Sequence, residues 1–314
     1  MKGFHRFRSQ LKRVQDAHGG AKDEFMRRTE IGRAALLQSI VEARDQLLDG
    51  CLALASSEAR ANPLVGSVIH SLKRYVSASD WNLVDVVILA LCLDETKEDL
   101  VRRLAATVLA FHALRMVDDV IDGHSSYKGD YPTMYGELAS KSDLKPVAGD
   151  VTLVSALLLL SEGIAGYPAI LADLQRTILG ALHERVATDP ASEYDSIVLG
   201  KMVSYGMVLY SPVMAAADEE SRPIVSSFLR ASFRIGQLMN DLLDFEADRG
   251  AKQPNFWHIH PEDGPELMVR ELGDLAARVE SLPKQYRPYG ETRLVDLAGY
   301  GIQIADRVAL SEGG

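Results

Sequence analysis

Leu109-Ala110-Phe111-His112-Ala113-Leu114-Arg115-Met116-Val117-Asp118-Asp119-Val120-Ile121-Asp122 is apolar nearly all round a helix, yet it ends in three aspartates. A helix of that composition belongs in a protein core. Asp118 and Asp122, four residues apart, share one of its faces, with Cβ atoms about 6 Å apart. A second stretch, Phe233-Arg234-Ile235-Gly236-Gln237-Leu238-Met239-Asn240-Asp241-Leu242-Leu243-Asp244-Phe245-Glu246-Ala247-Asp248, repeats the arrangement. There Asn240, Asp244 and Asp248 form an i, i+4, i+8 oxygen stripe. Asp119 and Asp241 lie about 100° off the two stripes and read as supporting residues. Like charges at i, i+4 cost roughly 0.2–0.5 kcal/mol on an exposed helix, and far more among apolar side chains. Arg115 offers one positive charge against three negative ones. A divalent cation with hard oxygen ligands, magnesium, supplies the rest, and it completes its shell with water and substrate phosphates. Either run alone also reads as a solvated helix end. Two such runs, each after an apolar helix, would hold a diphosphate between them through bridging metal ions. A di-iron bundle needs a Glu three residues before a His, and none of the eight histidines has one.

The rest of the chain is patterned the same way. From about residue 26 apolar residues recur at helical spacing, in Ile31-Ala35-Leu36-Ile40, Leu83 to Leu93, Leu153-Leu157-Leu160, Met202 to Met214 and Phe228 to Leu243. Breakers fall between the runs at Pro63, Gly123, Pro146, Pro168, Pro190, Pro223, Pro254 and Pro283. No alternating strand series and no Gly-rich dinucleotide loop stands out. About ten helices with no linker predict one all-α bundle over 26–314. Pro212 falls inside the helical run from Asp195 to Ala217, where it should kink or break the helix and free the Val208 carbonyl. Residues 1–33 carry nine Lys/Arg against four acids, so residues 1–25 read as a basic arm, either a solvated terminus or a contact to an acidic partner or membrane surface.

Composition narrows the function classes. The 314 residues carry 34 Lys+Arg and 44 Asp+Glu, a formal charge of −10, which argues against a nucleic-acid coat. Hydrophobic residues at 47% exclude a largely disordered chain. Cys51 and Cys92 are too few for a disulfide framework and read as buried fillers in a reducing compartment. With no apolar run of ~18 residues read as a span, the expectation is a cytoplasmic protein with at most peripheral membrane contact.

These motifs resemble the trans-isoprenyl diphosphate synthases and their class I isoprenoid synthase relatives over about residues 100–260. Asp118-Asp119-Val120-Ile121-Asp122 is similar to their first aspartate-rich motif, and Gln237 to Asp244 to the second. Gly149-Asp150 resembles the family's glycine-aspartate signal, Lys201 the lysine before a later core helix, and Gly250-Ala251-Lys252 the lysine-bearing loop. The resemblance implies the isoprenoid synthase type I fold and ionisation of an allylic prenyl diphosphate. It implies a catalytic set of Asp118, Asp119, Asp122, Asn240, Asp241 and Asp244, and up to three magnesium ions on Asp118, Asp122, Asn240, Asp244 and Asp248. Arg115, Lys128, Lys201, Gln237 and Lys252 would meet the diphosphate; Ala113, Leu114 and Tyr205 would line the prenyl pocket. It also implies a homodimer, for which Leu83 to Leu93 is a candidate surface.

The departures bear on chemistry. Asn240 replaces an aspartate, and the triad Asn240, Asp244, Asp248 also resembles that of terpene cyclases. Tyr127-Lys128-Gly129 stands where the family has two arginines and a glycine, and the upstream isopentenyl-diphosphate motif is reduced to Lys73-Arg74. Lysine and tyrosine do not reproduce arginine's two-pronged phosphate grip. Three readings follow: prenyl transfer to an acceptor, including an unusual one; cyclisation of a linear prenyl diphosphate; and a non-catalytic subunit of a heteromeric synthase.

Overall fold

A computed structural model describes residues 4–53, 61–78, 81–93, 98–127, 131–187, 189–251 and 254–312. In chain order its helices are α1 (Phe4–Ala53), α2 (Pro63–Ala78), α3 (Trp81–Ala90), α4 (Glu98–Asp122), α5 (Met134–Ala139), α6 (Ala148–Gly166) and α7 (Leu171–Val186). They continue as α8 (Pro190–Val198), α9 (Ser204–Ala216), α10 (Ser221–Leu243), α11 (Phe245–Ala251), α12 (Phe256–Ile259), α13 (Gly264–Ser281) and α14 (Arg287–Glu312). A two-residue antiparallel ladder, Ser126 with Pro132 and Tyr127 with Tyr131, is the sole sheet among the described residues. The all-α expectation is met.

α4 is the pillar of the bundle. It packs on α6, α1 and α9, and Leu104, Ala105, Ala106, Val108, Leu109 and Ala110 are all buried, as its all-round apolar sequence requires. The main core joins α1, α3, α9, α10, α13 and α14 through Phe7, Val86, Met207, Phe228, Leu272 and Tyr289.

Three expectations need correction. The basic arm is no appendage: residues 4–53 are one helix, with no boundary at residue 25. Phe7 and Leu11 are fully buried in the main core. Arg8 pairs with Asp306 at 2.6 Å, Arg6 with Glu266 at 3.2 Å, and Lys22 with Asp296. Packing on α14 outweighs the roughly 1 kcal/mol that each of Gly19 and Gly20 costs a helix. Leu83 to Leu93 does not form an outer surface either, since Leu83, Val86, Val87, Ile88, Leu89 and Ala90 are interior.

Pro212 does not break its helix. α9 continues through it, and the irregularity falls earlier, as a π-turn over Leu199–Val203 that separates α8 from α9. Lys201 sits in that turn. Val208 packs in a separate small core with Tyr167 and Leu174.

Lys145–Gly166 is long and apolar enough to cross a membrane by composition, a test that core helices also pass. Its Thr152, Ser155, Ala156, Leu159 and Gly163 face is buried, while Val154 and Leu157 are exposed.

Candidate functional site

The first cluster is fixed by how α4 ends. Gly123 takes φ +70°, the left-handed conformation that glycine adopts without a Cβ penalty. The His124 N–H donates to the Asp119 carbonyl at 2.8 Å and the Gly123 N–H to Val120 at 3.3 Å. This is a Schellman stop, and it leaves Asp122 on the last turn. Asp118 and Asp122 reach solvent, whereas Asp119 turns inward and is 1% exposed. Arg115 lies 3.3 Å from Asp119 Oδ1 and 3.8 Å from Asp118. Burial pushes the Asp119 carboxyl up to about 6 against the pull of Arg115, with Asp118 adding to the rise. Its Oδ1 is buried and makes no hydrogen bond, so the nearby Arg115 guanidinium serves it as a charge partner only.

Lys201 stands over this cluster, 3.6 Å from Asp118 Oδ1 and 2.8 Å from Glu184 Oε2. Burial works to discharge its ammonium, but Asp118, Glu184 and Asp122 together raise it above the ordinary lysine range. The π-turn that carries Lys201 can approach α7 because Gly180 faces Gly200. A Cβ on Gly180 would lie 2.2 Å from the Gly200 carbonyl carbon and 2.3 Å from the Lys201 nitrogen. Glu184 follows Gly180 by one helical turn, so the same contact brings it to Lys201. π-turns are frequent at functional positions. Gly180→Ala is expected to destabilise the fold by about 1–3 kcal/mol through overpacking and to move Lys201. Paired melting curves and activity assays would show both effects, and an unaltered melting curve would mean that the crossing tolerates a methyl.

The second stripe survives a break in its helix. α10 stops at Leu243 and α11 restarts at Phe245. The Asp244 N–H still donates to Asn240, and the Asp248 N–H to Asp244, each at 2.9 Å, so the four-residue spacing is kept. Asn240 Oδ1 accepts the Tyr300 hydroxyl at 2.6 Å; Asp248 Oδ2 accepts Asn255 Nδ2 at 2.7 Å. Burial holds the Asp248 carboxyl above the usual range against the Asn255 bond, with the charges of Asp244 and Glu184 adding to the rise. Glu184 therefore acts on both clusters.

Asp241 turns inward as Asp119 does. It accepts the Tyr194 hydroxyl, Gln237 Nε2 at 2.7 Å and the Phe256 N–H at 2.9 Å. Burial still pushes it up to about 6. Asn255 caps α12 through the Trp257 N–H and also donates to the Asp241 carbonyl at 2.6 Å. Trp257, buried, donates to the Leu238 carbonyl at 2.8 Å. Gln237, expected on the diphosphate, thus spends an amide proton on Asp241.

Below the clusters lies a cavity of about 500 Å³. Arg115, Asp119, Gln237 and Asn240 stand on its wall together with the apolar Ile88, Phe111, Met202, Leu209 and Phe233. Tyr205 lines it, stacked on Phe111 at 4.4 Å. Ala113 and Leu114 do not. On α4 the lining face runs through Phe111, His112, Arg115 and Asp119, which turns Ala113 into the core beside Leu72 and Val76 and Leu114 against another apolar cluster. Lys128 and Lys252 lie outside the described residues.

His112 is 2% exposed, edge-on to Tyr75 and Phe111. Burial, helped by Arg44, pushes its imidazole down to about 3. The unfolded chain then takes up this proton first, at about pH 6.5. The stability tied to neutral His112 is intact above that pH and drains by about 1.4 kcal/mol per unit towards pH 3. Acid-titrated melting of His112→Asn should show a shallower slope than wild type below pH 6.5; equal slopes would refute the assignment.

Among the described residues, no three His, Cys, Asp or Glu side chains converge tightly enough to cage a metal ion. The donor set still suits magnesium, which takes one or two carboxylates and keeps its other positions for water and phosphate. Sequence reasoning missed Glu184, Tyr75, Tyr300 and Asn255. For Glu184 the Gly180 spacing was the available signal; the others come from distant segments.

No protein-family model matches the sequence, and no curated protein does. Solved structures do. A polyprenyl synthase from Caulobacter crescentus CB15, complexed with calcium and isoprenyl diphosphate, aligns with TM-score 0.55 and 14% identity over 88% of this chain and 97% of that one. A putative farnesyl-diphosphate synthase from Marinomonas sp. MED121 aligns with TM-score 0.53 and 16% identity over 86% and 98%. The fold is that of the trans-isoprenyl diphosphate synthases, carried on a divergent sequence.

Proposed function

We propose that this chain, on that fold, ionises an allylic prenyl diphosphate and passes the prenyl cation to an acceptor other than isopentenyl diphosphate. The observation that carries the reading is the meeting of two carboxylate-bearing helix ends, through Lys201 and Glu184, above an apolar cavity. Asp118, Asp122, Asn240, Asp244 and Asp248 would hold magnesium ions, which supply Lewis-acid neutralisation of the leaving diphosphate. Lys201, already held charged between carboxylates, adds a point charge towards phosphate oxygens; Arg115 on the cavity wall, Gln237, Lys128 and Lys252 are the further groups assigned to that end. Asp119 and Asp241 orient the two helix ends. Phe111, Tyr205, Leu209 and Phe233 keep water from the cation, and the ring faces favour positive charge.

The upstream motif supports this choice of acceptor. Lys73 pairs with Asp49 at 2.5 Å and Arg74 with Glu137 at 3.8 Å, so the two cations that could grip a second diphosphate already face carboxylates. That observation, with Asn240 opening the second stripe, also favours a second reading in which the substrate's own distal double bond captures the cation and a ring closes.

The test is incubation with magnesium and allylic diphosphates of increasing length, with and without isopentenyl diphosphate, followed by diphosphate release and product mass. Release that stops with chelator and needs no isopentenyl diphosphate supports the proposal. No release from any substrate, or full turnover in excess chelator, overturns it.

We also propose a homodimer. Consecutive helices α6 and α7 expose Val154, Leu157, Ile178, Leu179, Leu182 and Val186, more large apolar side chains than a solvated face normally gathers. Light scattering at micromolar concentration should give twice the chain mass, and Leu157→Glu with Leu182→Glu should halve it. A monomeric wild type would refute the assignment.

A further inference from the structure

The floor of the cavity holds a polar group that ionisation at the mouth does not use. Asp85, on α3, lines the cavity beside Val84, Ile88 and Leu209. The hydroxyls of Tyr210, from α9, and Tyr289, from α14, both donate to its Oδ2, the latter at 2.9 Å. Arg293 Nη1 lies 3.6 Å from the same oxygen, and its guanidinium also covers the Phe233 ring at 5.4 Å. Burial and Asp85 push both phenols well above their ordinary range, so they stay hydroxyl donors. Among the described residues, no donor reaches Oδ1.

The depth of this group follows from two helices independently. Asn240, at the mouth, is seven residues from Phe233 along α10. Tyr300, bonded to Asn240, is seven residues from Arg293 along α14. At 1.5 Å per residue each gives about 10 Å. A plain hydrocarbon tail reaching that far would strip water from Oδ1 and offer nothing in return, leaving a carboxylate oxygen desolvated and unpaired. The floor therefore suits a ligand that brings positive charge or an acidic hydrogen to it, which a cyclising prenyl chain does and an inert tail does not.

We propose that Asp85 Oδ1 is the proton acceptor that ends a cyclisation in this cavity. The inference rests on the second reading above, in which an allylic diphosphate is ionised at the mouth and its own distal double bond captures the cation. The C1–O bond breaks and the diphosphate leaves with the electron pair. The distal double bond forms a new bond to C1, leaving positive charge on the far carbon, at the floor. A neighbouring C–H bond gives its proton to Oδ1 and its electron pair becomes a new double bond. Asp85 later returns the proton to water, so no oxidant, reductant or second substrate is needed. Tyr210, Tyr289 and Arg293 are positioning residues, because all three engage Oδ2 of a side chain that lines the cavity.

The test measures products per diphosphate released, with geranyl and farnesyl diphosphates and magnesium as probes. Wild type is expected to yield cyclic olefins without isopentenyl diphosphate. Asp85→Asn keeps an oxygen for the two tyrosines but loses the base. It should lower the olefin share by about tenfold or more, with alcohols formed by water capture in its place. Tyr289→Phe, which frees one hold on Oδ2, should change the olefin isomer ratio; a merely structural role would lower all products together. If wild type releases diphosphate but the product split of Asp85→Asn and Tyr289→Phe is unchanged, the assignment of Asp85 falls and the ionisation reading stands. If wild type releases no diphosphate at all, both fall.

Discussion

Asp118→Ala and Asp244→Ala should each cut diphosphate release from an allylic substrate by about 10²–10³-fold, the scale on which losing one preorganised electrostatic contact to a transition state is felt. Neither variant should lose its fold. The Asp118 side chain is 33% exposed and its cationic neighbours stand at 3.6 and 3.8 Å, loose pairs at a partly solvated site. Asp244 is exposed at the turn between α10 and α11. Each substitution also removes a negative charge from a run of like charges. Release should be measured at saturating magnesium, with melting curves on the same samples. Wild-type turnover by either folded variant would remove that cluster from the reaction.

What the sequence disclosed follows a physical division. The apolar-all-round helix ending in aspartates could be read because burial and charge conflict within one turn of chain, and α4 is indeed the pillar with Asp118, Asp119 and Asp122 at its end. The 100° offset separated Asp119 and Asp241 from the stripes, and both are inward-facing, each beside a tyrosine hydroxyl. Long-range contacts were not legible. Nothing in Asn255 or Tyr300 announces that they grip Asp248 and Asn240, because α10 meets those segments only after folding. The basic arm misled for the same reason: Phe7 and Leu11 are two apolar residues among many charges until α14 supplies a face for them. Ala113 and Leu114 lie about one turn before Asp118 on α4, but the cavity lies on the Arg115–Asp119 side of that helix. Pro212 drew attention as a breaker, while the break fell where Gly180 and Gly200 let two backbones meet.

Asp241→Ala should do the opposite of Asp244→Ala, although the two residues are three apart. Asp241 is 4% exposed and its carboxylate takes three donors, the Tyr194 hydroxyl, the Gln237 amide and the Phe256 N–H. Removing it leaves all three in a space that water does not reach freely. A stranded buried donor costs about 1–3 kcal/mol, so the variant should lose about 3–5 kcal/mol of stability once partial relaxation is allowed for. The loss should be local first. Phe256 opens α12, whose preceding residue Asn255 holds Asp248, so the second stripe loses its support before the bundle opens. Asp241→Asn, which keeps an acceptor and the shape but turns one oxygen into a donor, should fall between wild type and alanine. Denaturant unfolding resolves these differences, and hydrogen exchange at residues 255–259 reports the local step. If Asp241→Ala unfolds at the wild-type midpoint while losing turnover, the buried carboxylate acts on substrate or metal directly, and the division of each cluster into outward ligands and an inward peg is wrong.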